Sequence, residues 1–245
     1  MGKYAKWVGG GLGWFLGGPL GALFGYFVGS MFDSPGQTNT TQTKYRGRNY
    51  KTTAGDFAMS LLVLVAAVMK ADGKVVKSEL DFVKDWFKRQ FGEDTAKEAV
   101  LMLRDMLKKD IPLGDVCNQI SRNMEYSSRV QLLHILFEIS ASDGDFDKNE
   151  IKVIERIARY LNISYKDVDS IKHMFIPSTD SAYKILEIDS SAGDDEVKRA
   201  YRRMARKYHP DTVNHLGEDF RKSANEKFRK VNEAYMAIKK ERGIK

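Results

Sequence analysis

Two amphipathic stretches flank the tetrapeptide Tyr208-His209-Pro210-Asp211, and they constrain the fold more than any other feature of this 245-residue chain. Upstream, apolar residues recur at spacings of four, three and four: Val197, Tyr201, Met204 and Tyr208. Downstream, the same periodicity continues in Ala224, Phe228, Val231, Tyr235 and Ile238. Such spacing predicts two helices, each with one apolar face. Because Pro210 disfavours the α conformation at His209, the first helix must end there, and the pattern predicts an antiparallel hairpin with His-Pro-Asp exposed at its tip.

The outer face of the first predicted helix is basic. Its residues are Lys198, Arg199, Arg202, Arg203, Arg206 and Lys207. A cationic face of this kind favours an acidic partner surface. A nucleic-acid partner is not expected, since the intervening face carries packing tyrosines rather than an array of stacking aromatics.

This region resembles a J-domain. The resemblance rests on Ala182-Tyr183-Lys184-Ile185-Leu186, on the basic helix, on His209-Pro210-Asp211 and on the stretch KFRKVNEAY at 227–235. J-domains bind Hsp70 chaperones of the DnaK type and stimulate their ATP hydrolysis, so the resemblance implies this activity here. It also implies that the Hsp70-binding residues are His209, Pro210 and Asp211 together with the six basic residues of the preceding helix. Two positions depart from the family pattern: Glu187 replaces the usual Gly, and Thr212 replaces the usual Lys.

Composition narrows the remaining classes of function. The net charge of +7 suggests acidic partners without choosing among them. The single cysteine, Cys117, excludes an internal disulfide and the repeated zinc-binding cysteine motifs of some J-domain proteins. Neither a nucleophile motif nor a phosphate-binding loop accompanies His209 and Asp211, so we expect no enzymatic activity and no catalytic residues.

Residues 7–32 form a run of 26 residues without a charge, longer than the roughly 20 that a helix needs to cross a bilayer. Glycines recur every fourth residue on one face of this segment: Gly13, Gly17, Gly21, Gly25 and Gly29. Such a stripe lets two helices approach closely in lipid, which predicts a membrane span that forms a homodimer. A cleaved signal peptide and a loosely ordered Gly-rich tail are the alternatives. Basic residues at 44–51 favour a cytoplasmic C-terminal side.

Residues 34–53 are rich in Ser, Thr, Gly and Asn and then basic, which is typical of a flexible linker. Between 54 and 176 the pattern is helical, with the run 57–69 predicted as a buried core helix because it is too short to span. Two copies of one motif, 71–80 and 142–151, each follow an apolar helix and precede an amphipathic one. This repeat predicts a pseudo-symmetric bundle of about seven or eight helices.

The doubled motif resembles the TerB-like domain associated with tellurite-resistance proteins. Its carboxylates at equal spacing are Asp72 and Glu79 in the first copy and Asp143 and Glu150 in the second. They could bind a divalent cation. Alternatively, Asp-Gly closes a helix and Asp147 caps the next one. A protein-contact surface is the third reading.

Together these segments resemble DnaJ-like membrane co-chaperones. The predicted organisation is all-α: a transmembrane segment at 1–33, a linker at 34–53, a TerB-like bundle at 54–176 and a J-domain at 179–245. The resemblance implies a single-pass protein of the bacterial inner membrane, with cytoplasmic domains that recruit and activate DnaK and with no required cofactor. The alternative function is a membrane-associated metal or stress sensor, or scaffold, in which the TerB-like domain is the main functional unit.

Overall fold

The computed structural model describes residues 54–244 apart from 72, 74–76, 143, 145 and 217. Its described residues form helices and connecting turns only, which confirms the predicted all-α fold class. The predicted membrane segment, its glycine stripe and the linker lie outside the described residues. Within the described part, no helix has both the length and the apolar character needed to cross a membrane.

In the described chain, seven helices precede residue 176, in agreement with the predicted seven or eight. They are α1 (Ala54–Met69), α2 (Lys77–Phe91), α3 (Glu93–Met106), α4 (Leu113–Asn123), α5 (Tyr126–Ser140), α6 (Lys148–Tyr160) and α7 (Tyr165–Phe175). We call these seven helices the bundle.

Helices α1 and α5 lie at the centre of the bundle. Both are apolar on nearly every side, and a helix of that kind is stable only when other helices surround it. In α1 almost every side chain from Phe57 to Met69 is buried, which confirms the predicted core helix. In α5, Leu132, Leu133 and Phe137 are fully buried. Helix α1 packs against α5, α3 and α6, and α5 also contacts α7.

The internal repeat corresponds to the helix pairs α1–α2 and α5–α6. In each copy a glycine adopts the left-handed conformation after the apolar helix, with φ of 74° at Gly73 and 83° at Gly144. The second amphipathic helix has the predicted cap, since an Asp147 carboxylate oxygen accepts from the backbone N–H groups of Asn149 and Glu150 at 2.6 and 3.3 Å. Both glycines therefore have a structural role in the turn that follows an apolar helix.

The C-terminal region forms the predicted hairpin. A short helix, α8 (Ser181–Ile185), precedes α9 (Asp194–Lys207); a 3-10 helix (Pro210–Leu216) then leads into α10 (Glu218–Arg242). Apolar side chains between α9 and α10 are buried, among them Val197, Met204, Val231 and Ile238. The 3-10 helix forms most of the connection between α9 and α10.

A polar seam joins the hairpin to the bundle. The Gln131 amide of α5 donates to the Ser223 hydroxyl at 2.7 Å, and its carbonyl oxygen accepts from the Lys227 ammonium. Ser223 Oγ also lies 3.4 Å from His134 Nδ1. Lys227 is only 3% exposed, and burial lowers the pKa of its ammonium group to about 7 although Glu138 and Asp167 favour the charged form. The seam thus holds a buried amine that water would otherwise keep charged.

Replacing Gly144 by Ala should destabilise the protein by about 1 kcal/mol, because an L side chain is disfavoured at φ of 83°. Urea unfolding of the chain from residue 54 onward measures the effect. Gly114→Ala is the control: the added methyl group would meet only Tyr160 Cζ at 3.9 Å, an ordinary contact. Equal effects of the two substitutions would contradict the assigned conformation.

Replacing Lys227 by Met should stabilise the protein relative to wild type increasingly as the pH falls from 10 to 7. The folded-state pKa of Lys227, about 7, lies below its ordinary value of 10.5, so the unfolded chain binds the proton first and the wild type loses stability across this window. The difference in unfolding free energy can grow by at most about 1.4 kcal/mol per pH unit. Urea titrations at several pH values measure it, with Lys240→Met on the exposed surface as the control. A difference that does not vary with pH would refute the prediction.

Candidate functional site

The His-Pro-Asp tip is exposed and ordered by its own backbone. Helix α9 ends at Lys207, and the side chains of His209 and Asp211 are 52% and 74% exposed. The His209 carbonyl oxygen accepts from Thr212 twice, from the backbone N–H at 3.0 Å and from Oγ1 at 2.7 Å. The Asp211 N–H donates to His209 Nδ1 at 3.3 Å, so the opposite ring nitrogen, Nε2, faces away from this turn.

The imidazole ring also rests on the second helix of the hairpin. It meets the ring of Phe228 edge-on, with centroids 6.2 Å apart. Thr212 lies at a position where J-domains usually have Lys. Its hydroxyl helps to fix the turn through the hydrogen bond to the His209 carbonyl oxygen. The tip presents one ring nitrogen and one carboxylate to solvent in a defined arrangement.

The structure brings five of the six predicted basic residues onto an open face of α9. Arg199, Arg202, Arg203 and Arg206 are exposed and Lys198 is half-buried. Arg203 also donates to the Leu186 carbonyl oxygen at 3.1 Å, which ties α9 to the end of α8. The exposed arginines thus lie on the helix that leads directly into the tip.

Lys207 differs from the other predicted basic residues. Its ammonium group lies 2.5 Å from an Asp167 oxygen and 2.6 Å from a Glu187 oxygen, and the two acidic side chains are only 3% and 7% exposed. Burial disfavours the charged ammonium, but the hydrogen bonds that it donates to both carboxylates outweigh this effect and raise the pKa of Lys207 above its ordinary value. Lys207 is therefore charged and engaged within the chain.

Glu187 shows why the chain can depart from the family pattern. It has φ of 59°, the left-handed conformation that favours the usual Gly. A glutamate at this position is strained, yet its carboxylate accepts from Lys207. The ion pair offsets part of the backbone cost, so the substitution has a structural reason.

Sequence reasoning did not identify Asp167. One carboxylate oxygen accepts from Tyr126 and Ser164 hydroxyls at 2.5 and 2.6 Å, and the other receives Lys207 and, at 3.3 Å, the Tyr208 hydroxyl. Burial raises the pKa of this carboxyl, but the hydrogen bonds from Lys207, Ser164 and Tyr126 act in the opposite direction, and the net pKa is lowered. The spacing Ser164-x-x-Asp167 is a helix-cap signal and would have placed Asp167 in the first turn of α7, but not beside α9.

A small cleft of about 80 Å³ opens between the bundle and the hairpin, beside the tip. Two residues of the seam, Gln131 and Lys227, border it, as does the first residue after His-Pro-Asp. Its lining consists of Tyr126, Ser127, Val130, Gln131, Lys207, Tyr208, Thr212, Val213, Ala224 and Lys227.

The predicted cation ligands are only partly described. Glu79 and Glu150 are buried in the first turns of α2 and α6, and Glu150 accepts from the Ser140 hydroxyl. Asp72 and Asp143 lie outside the described residues. Among the residues that are described, no group of three or more His, Cys, Asp or Glu side chains could hold a metal ion. Cation binding by the four carboxylates stays a prediction.

Three family models match successive parts of the chain. Residues 1–49 match the co-chaperone DjlA transmembrane domain, 58–173 match the tellurite resistance protein TerB, and 181–244 match the DnaJ domain. These matches confirm the predicted membrane segment, TerB-like domain and J-domain.

Curated relatives align with this chain over nearly their full length. The chain is 26% identical to co-chaperone protein DjlA of Photobacterium profundum, with 99% of this chain and 100% of the relative covered. It is 24% identical to DjlA of Coxiella burnetii, with both chains fully covered, and 28% identical to DjlA of Vibrio cholerae over 92% of this chain and 98% of the relative. No solved structure matches. The order of the three domains and the exposed His-Pro-Asp tip together place the chain in the DjlA family of J-domain co-chaperones.

Proposed function

We propose that this co-chaperone recruits an Hsp70 of the DnaK type and stimulates its ATP hydrolysis. One observation carries the proposal: His209 and Asp211 are exposed and held in a fixed turn beside an open arginine face. The DnaJ-domain match supplies the general role of such a surface. ATP hydrolysis itself belongs to the Hsp70.

The arginine face and the tip have different parts in this function. The exposed arginines attract an acidic Hsp70 surface over several ångströms, which raises the association rate and sets the register. His209 and Asp211 then make short-range contacts. Stimulation requires that these contacts favour the hydrolysing conformation of Hsp70 over the other, since a partner that binds both equally shifts nothing.

Replacing His209 by Gln should abolish stimulation of Hsp70 ATPase activity while leaving the fold intact. The amide cannot reproduce the ring that packs on Phe228 and directs Nε2 outward. Single-turnover ATPase assays with purified protein measure the effect, and circular dichroism checks the fold. His173→Gln, the same change within α7, is the control and should retain stimulation. Full stimulation by the His209 variant would overturn the role of His209.

In the proposed function both described domains lie at a membrane surface. The segment 7–32 would cross the bacterial inner membrane once, with the C-terminal domains in the cytoplasm where Hsp70 and ATP are found. The match of residues 1–49 to a transmembrane-domain model supports the span, and the basic residues after it support the orientation. The glycine stripe supports a homodimer, because close helix contact in lipid favours association.

Replacing Gly21 by Ile should weaken self-association in detergent micelles by on the order of tenfold, about 1.4 kcal/mol, because the side chain separates the two helices. Analytical ultracentrifugation of the full chain measures the dissociation constant. Ala22→Ile adds similar bulk beside the stripe and serves as the control. If both variants associate as the wild type does, dimerisation does not involve the glycine stripe.

A further inference from the structure

The bundle holds the end of α9 immediately before the His-Pro-Asp tip. Lys207 and Tyr208, the last two residues before His209, both bond to the Asp167 carboxylate of α7, at 2.5 and 3.3 Å. Tyr126 of α5 and Ser164 bond to the same carboxylate, so it links three segments. We call this group of five residues the Asp167 clamp.

The centre of the clamp is buried, whereas Tyr126 and Lys207 at its edge are partly exposed. Asp167 is 3% exposed and the Tyr208 side chain is also buried. Charge-assisted hydrogen bonds are stronger than neutral ones and lose little to salt screening when water is excluded. Lys207 and Tyr208 therefore have little freedom to move relative to the bundle. The backbone that continues directly into His209 is restricted in the same way.

The clamp leaves the Hsp70-facing surface open. His209, Asp211 and the arginine face remain exposed while Lys207 is engaged. An autoinhibitory contact would cover these groups. The arrangement in the structure is thus suited to presenting the tip in one orientation.

We propose that Asp167 is a positioning residue for stimulation of Hsp70: acting through Lys207 and Tyr208, it fixes the orientation of the His-Pro-Asp tip. This inference rests on the proposed Hsp70 function and assigns a part in it to the TerB-like domain. The benefit is a smaller loss of conformational entropy on binding, because the tip is already ordered. If the competent orientation is only partly populated, the apparent dissociation constant rises in inverse proportion to that population.

The test uses the full chain in detergent with purified Hsp70. Asp167→Asn keeps the size of the side chain and an acceptor oxygen but removes the charge that holds Lys207. We expect the concentration for half-maximal ATPase stimulation to rise about threefold to tenfold, with the maximal stimulation close to wild type. Amide hydrogen exchange at 208–213, measured without Hsp70, should become faster. Glu155→Gln, which breaks the Glu155–Lys172 ion pair within the bundle, is the control and should change neither quantity.

A double-mutant cycle with Lys207→Gln separates positioning from a purely structural role of Asp167. If Asp167 acts through Lys207, adding Asp167→Asn to Lys207→Gln raises the half-maximal concentration by less than about twofold. If the two effects multiply, or if Asp167→Asn alone matches wild type in both assays, the inference is overturned.

Two further outcomes distinguish failure of the proposed function from failure of the positioning role. A wild-type protein that fails to stimulate Hsp70 rejects the proposed function, whereas a wild type that stimulates beside an unaffected Asp167→Asn variant rejects only the positioning role. If Asp167→Asn lowers the thermal stability of the bundle, Tyr208→Phe decides, because it removes only the hydroxyl that bonds to Asp167. Faster exchange at the tip with a raised half-maximal concentration supports the inference, and wild-type values in both assays reject it.

Discussion

The arrangement of the described chain depends on the burial of α5. This helix is apolar around most of its circumference, so it must contact neighbours on every side. Bundle helices cover most of it, and α10 together with the 3-10 helix of the hairpin covers part of the remainder. Gln131 and His134 lie among the buried residues of α5 and meet hairpin side chains. The J-domain is thus part of the surroundings that α5 requires, and its docking follows from the same burial that forms the bundle.

Two lysines at this junction show how the choice of partner determines the state of a buried amine. Lys207 lies between two carboxylates, whose hydrogen bonds overcome burial and raise the pKa. Lys227 bonds to an amide oxygen, and burial lowers its pKa to about 7. A neutral acceptor cannot compensate an ammonium group for the loss of water, whereas ionised acceptors can. At this junction the Lys207 ammonium group near the tip is firmly charged, whereas the Lys227 amine on α10 is costly to protonate.

Much of this fold could be predicted from periodicity and local signals. The apolar spacing predicted the hairpin and the core helix 57–69. The repeated motif predicted a turn after each apolar helix, and the glycines of these turns have φ of 74° and 83°. The docking of α9 on Asp167 could not be predicted, because it joins residues 40 positions apart through one carboxylate and no periodic pattern records such a contact. For the same reason Lys207 resembled its basic neighbours in sequence although its surroundings differ. Family patterns likewise marked Glu187 as unusual without identifying Lys207 as its partner.

The separation of Lys207 from the arginine face divides the electrostatics of the site into two parts. The arginines are exposed, so their attraction for an acidic partner weakens as salt shortens the Debye length to about 8 Å at physiological ionic strength. Asp167 is only 3% exposed, so salt screens the Lys207–Asp167 contact less than it screens the arginines, and the orientation of the tip should persist under the same conditions. Salt would then slow the encounter with Hsp70 without changing what the tip presents once contact is made. In the proposed function the J-domain motif would provide the contacting groups, and the TerB-like domain would determine the direction in which they point.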